Sequence, residues 1–105
     1  MITNTAKSRN GVPVRLTRER WVHISTGHPE MADYYFEILE AIENPAVIYK
    51  GTKGELVAIS GDGNNSEKFI VVVYKETSKD DGFVITAFMS NKKPFFFLIE
   101  IVWKQ

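Results

Sequence analysis

The chain has no cysteine. That excludes disulfides, thiolate nucleophiles and zinc sites built on Cys ligands. It also lacks any apolar run of the roughly 20 residues that a membrane-spanning helix needs, so no membrane association is expected. The opening MITNTAKSRNGVP carries Lys7 and Arg9 with no apolar segment behind them, and a secretory signal is not expected either. A cytoplasmic protein is the default reading. An excess of one charge is missing too, because 13 Lys and Arg balance 13 Asp and Glu. Broad, unspecific binding of nucleic acid through a basic surface is therefore not expected.

What is present fits one globular domain of 105 residues, 44% hydrophobic and 25% charged. Residues 1–11 are polar and without period, and are expected to be a flexible tail. Residues 12–105 form the domain. Its charge is unevenly spread. Residues 1–28 carry Lys7, Arg9, Arg15, Arg18 and Arg20 against Glu19, whereas residues 29–45 carry Glu30, Asp33, Glu37, Glu40 and Glu43 with no base. Such asymmetry suits a local anion site. Two adjacent surface helices can carry it equally well.

Two helical patterns come early. Thr17 suits an N-cap, with Leu16 and Trp21 at hydrophobic-staple spacing, and Gly27 is placed to end the helix in a left-handed conformation. His28 precedes a proline, which biases it to extended geometry, and Pro29 suits the first turn of a second helix. There Met31, Tyr34, Tyr35, Ile38, Leu39 and Ile42 follow helical spacing until Asn44-Pro45 stops it. Beyond Pro45 the period changes. Ala46–Lys50, Glu55–Ser60, Lys68–Lys75, Phe83–Ser90 and Phe95–Trp103 read as strands, and Val12–Leu16 as a further short one. GTKG, GDGNNSE, ETSKDDG and NKKP are too short for crossovers and predict an antiparallel meander. The expected fold is α+β, with two N-terminal helices packed on a four- to five-stranded twisted antiparallel sheet.

The only histidines, His23 and His28, lie within RERWVHISTGHPE. His23 falls roughly 130° from the midpoint of Trp21 and Ile24 around the first helix, away from the buried stripe. A bend after Gly27 can bring both imidazoles to one cleft, where they would act as base and acid near neutral pH. The plainer alternative leaves His23 solvated and His28 at a helix start. Their spacing with Glu30 and Asp33 matches no zinc motif, and the loop from Gly61 to Glu67 lacks the spacing of a calcium loop, so no metal and no cofactor are expected. In the strands, Thr86 and Ser90 share a face, and with Asn91, Lys92 and Lys93 they can hydrogen-bond and neutralise a phosphate. Threonine in a strand and lysine at its end also serve pleat packing and edge protection.

LTRERWVHISTGHPEM, a helix ending in ENPAVIY, then KFIVVVYK and VITAFMS, in that order, resemble the phage-type members of the barnase–EndoU–colicin E5/D–RelE-like nuclease superfamily. The resemblance spans roughly residues 14–103, and its most specific part is ERWxHIxxxHPE. It implies a RelE- or barnase-like fold and metal-independent endoribonuclease activity, with RNA as the substrate. A ribose 2′-hydroxyl would attack the adjacent phosphate to leave a 2′,3′-cyclic phosphate. It further implies His23, His28, Lys68 and Thr86 as catalytic residues, with Arg20, Lys75, Ser90 and Lys93 binding the substrate. A toxin or phage-derived nuclease with an antitoxin or other protein partner would fit. Two other readings stand beside it. One is a catalytically silent module of the same fold that binds a protein or RNA through the helix pair. The other is a homo-oligomer joined through Phe95–Trp103.

Overall fold

The computed structural model describes residues 4–61, 68–91 and 100–105. In chain order it contains β1 (Asn4–Lys7), β2 (Pro13–Leu16), α1 (Arg18–Gly27), a 3-10 turn (Pro29–Met31), α2 (Tyr35–Glu43), β3 (Val47–Lys50), β4 (Leu56–Gly61), β5 (Phe69–Ser78), β6 (Asp81–Ser90) and β7 (Glu100–Lys104). All seven strands join one sheet in the order β1-β2-β6-β5-β4-β3-β7. The pairing is antiparallel except between β2 and β6, where Val14 and Arg15 meet Gly82 and Phe83 in parallel.

This corrects the expected four- to five-stranded antiparallel sheet with two N-terminal helices. The sheet is seven-stranded and mixed, and a hairpin precedes the helices. The meander β3–β6 is local and follows from β-branched runs between short turns. The β1–β2 hairpin and β7 join this meander through long-range pairing, with β6 and β3, which no local period reveals. The expected tail is also part of the sheet, since Asn4–Lys7 pairs with Pro13–Leu16. Its turn closes on backbone bonds between Ser8 and Val12 and between Gly11 and Ser8, with Gly11 at φ 81°. Only glycine adopts that angle without cost.

Each face of the sheet has its own apolar cluster. Under the helices, Ile24, Met31, Ile38 and Ile42 pack on Val14, Leu16, Ala58, Ile70, Val72, Tyr74, Val84 and Ala87. On the other face, Val57, Ile59 and Val71 are buried among Val47, Tyr49, Phe69, Val73 and Phe88. Burial on both faces explains why β5 reads as the unbroken run FIVVVY instead of alternating.

The helices differ from expectation in two details. Thr17 does cap α1, its hydroxyl accepting from the Arg20 N–H at 3.1 Å. Gly27 is not left-handed, however, and the helix closes on the His28 N–H, which donates to the Ile24 carbonyl at 2.7 Å. The single second helix is broken as well. Pro29–Met31 forms a 3-10 turn, and α2 starts only at Tyr35. α1 and the 3-10 turn run along β6, while α2 lies over β1, β4 and β5.

Candidate functional site

The His28 backbone is fixed from both sides. Its N–H closes α1, and its carbonyl accepts from the Met31 N–H at 2.8 Å. Met31 is fully buried and anchors the turn to the core. With its backbone held, the half-buried imidazole rests near β6, ring centroids 5.8 Å from Phe88 and tilted by 35°. Its Nδ1 stands 3.7 Å from Oε2 of Glu30. That is ion-pair range, longer than a hydrogen bond.

Glu30 links the imidazole to the ends of the central strands. Together with Lys68, Met89, Ser90 and Asn91 it lines an open depression of about 410 Å³. The position of these groups follows from register. Ser90, the last residue of β6, lies opposite Phe69, the first of β5, which sets Lys68 and Asn91 side by side at the sheet's end. A carboxylate, an ammonium and a hydroxyl thus line one end of the β5–β6 pair, with the His28 imidazole beside the carboxylate.

Of the sequence-derived set, Lys68 and Ser90 line this depression, and His28 adjoins it through Glu30. His23 and Arg20 do not. They line a second depression, of about 280 Å³, with Thr17 and Glu19 on the exposed side of α1. Positions five apart on a helix differ by about 140° in direction, so the bend after Gly27 does not converge the two imidazoles. Thr86 lies mid-strand opposite Val73 and lines neither depression. Lys75 lies opposite Phe83, seven residues and about 24 Å along the strand direction from Lys68. Lys93 lies outside the described residues.

Sequence reasoning missed Glu30 as the partner of His28, and Phe88 as its ring neighbour. The signal for Glu30 was its closeness in sequence, two residues from His28 with Pro29 between them in the first turn. Phe88 carried no such signal, since β6 meets the helix junction only through tertiary packing.

Chemically, an imidazole beside a carboxylate can pass a proton in either direction, and a lysine with a hydroxyl can hold an anion. Among the described residues no three His, Asp or Glu side chains gather as ligands for a cation. No described helix is long and apolar enough to cross a membrane. Comparison with protein-family models, curated proteins and solved structures finds no match to this chain.

Proposed function

We propose that the chain is a small metal-independent endoribonuclease acting in the cytoplasm, with its chemistry centred on His28 and Glu30. The observation that carries this reading is the His28–Glu30 pair beside the depression that Lys68 and Ser90 line. One member of the pair takes the proton of a ribose 2′-hydroxyl. The 2′-oxygen attacks the adjacent phosphorus, the bond from phosphorus to the 5′-oxygen breaks, and the other member protonates that leaving oxygen. A 2′,3′-cyclic phosphate and a 5′-hydroxyl result. Lys68 offsets the charge that builds on the phosphoryl oxygens, and Ser90 orients them. His23 and Arg20, on the exposed flank of α1, would contact the RNA strand outside the reacting group, as would Lys75. The test is incubation of mixed RNA with the protein in EDTA. Cleavage is expected to fail for His28→Ala and Lys68→Met and to persist, with weaker RNA binding, for His23→Ala. Full cleavage by His28→Ala removes the reading.

A second reading is favoured by the outer face of α2. Phe36 is 73% exposed there, beside Glu37, Glu40 and Glu43. Its ring ends an edge-to-face series in which Trp21 meets Tyr35 at 5.0 Å and Tyr35 meets Phe36 at 5.1 Å. An ordered aromatic among carboxylates suits a basic protein partner such as an antitoxin. In this reading the fold is a binding module without turnover. Charge reversal at Glu37, Glu40 and Glu43 would abolish capture of that partner while His28→Ala would not. Self-association through β7, an edge strand with Ile101 and Val102 exposed, would appear as a dimer mass in light scattering.

A further inference from the structure

A separate cavity of about 270 Å³ lies on the helix-covered side of the sheet, at the end opposite Lys68. Arg9 and Asn10 of the β1–β2 turn, Glu76 of β5 and the apolar Ile48, Leu56 and Trp103 are among the residues that line it. Both charges are held in place by other groups. Ser8, itself 5% exposed, donates its hydroxyl to Oε2 of Glu76 at 2.5 Å, and Asn10 donates its amide to Oε1 at 3.0 Å. Arg9 lies over the Trp103 ring at 4.9 Å and donates to the Glu43 carbonyl at 3.3 Å. Yet Arg9 and Glu76 form no ion pair with each other, although they face one cavity.

Two fixed, unpaired opposite charges that line one cavity together with apolar side chains suit a ligand that carries the complementary pair on an aliphatic spacer. We propose that this cavity binds a small aliphatic zwitterion, its ammonium on Glu76 and its carboxylate on Arg9. The carboxylate of Glu76 has spent one acceptor site per oxygen on Ser8 and Asn10, so each oxygen can still accept from an ammonium. Arg9 presents further N–H donors beside the one given to Glu43, in the planar fork that suits a carboxylate. Methylenes between the two ends lie on Ile48 and Leu56. The volume falls just under the 300–1,000 Å³ typical of ligand pockets, which restricts the ligand to a single short chain.

The test is isothermal titration with 4-aminobutanoate, 6-aminohexanoate and L-lysine, and with hexylamine and hexanoate as half-ligands. At least one zwitterion is expected to bind and to shift Trp103 fluorescence, with each half-ligand at least about tenfold weaker. Glu76→Gln and Arg9→Gln, checked for folding by circular dichroism, should each weaken the zwitterion about tenfold or more. They should leave RNA cleavage unchanged, because neither belongs to the His28 site. Absence of binding by all three zwitterions at about 10 mM overturns the proposal. So does equal binding by a half-ligand, or unchanged binding in both variants.

Discussion

His28 Nδ1 stands 3.7 Å from Glu30 Oε2, two residues further on and across a proline. Because the backbone of His28 supplies the helix closure, its side chain is available for chemistry. His28→Ala should therefore fold as the wild type does, within about 0.5 kcal/mol. Its loss should appear in cleavage, by roughly 10²- to 10⁴-fold, the usual contribution of one proton-transfer group. Glu30→Gln should fall in the same range. If thermal melts show His28→Ala unfolding instead, the imidazole is structural.

Met31 connects the core to that pair. It is fully buried, and its N–H donates to the His28 carbonyl. Met31→Ala should cost about 2–5 kcal/mol, through lost apolar contact and the cavity left behind. Urea titration measures this. Met31→Leu conserves volume and should cost less than about 1.5 kcal/mol.

Arg15 and Asp81 clamp the parallel seam between β2 and β6, with paired hydrogen bonds at 2.9 and 3.0 Å. The side-chain hydrogen bonding from Arg15 holds the Asp81 carboxyl below its ordinary range, with the guanidinium charge adding to it and desolvation opposing. A carboxyl lowered in the folded state contributes stability above its unfolded range, near 4, and loses it as pH falls through the folded value. Both side chains are roughly half exposed, so the effect is small. Asp81→Asn should lower the melting temperature slightly at pH 7 and converge with the wild type in acid. A gap that widens on acidification contradicts this assignment.

Gly82 faces Val14 across the same seam. A Cβ there would lie 2.7 Å from the Lys75 carbonyl oxygen and 3.3 Å from Val12 Cγ1. The first contact is with backbone and cannot relax cheaply. Gly82→Ala should cost about 1–3 kcal/mol in chemical denaturation.

The central strands and the cap at Thr17 were legible because each writes its cause locally. β-branched runs end at turn residues, and a hydroxyl precedes a helical stripe. β1 was not legible, since in NTAK only Ala6 turns inward and a single apolar residue makes no period. The parallel contact of β2 with β6 joins positions nearly seventy residues apart, and nothing in VPVRL announces it. Within the site, His28 could be singled out from its proline and its place at a helix break. Whether it would meet His23 depended on the direction of the chain at Gly27. There the helix closed without the left-handed turn that the glycine suggested, and it left the imidazoles on different surfaces. Lys75 stands apart for a simpler reason: seven residues along the chain from Lys68, it is too distant for the two lysines to serve one phosphate.

The most direct measurement is end-group analysis of RNA incubated in EDTA with the wild type and with Glu30→Gln. Accumulating 2′,3′-cyclic phosphate ends with the wild type, reduced at least about a hundredfold with Glu30→Gln, are the predicted result. Equal cleavage by both proteins, or none by the folded wild type, would contradict a ribonuclease centred on His28 and Glu30.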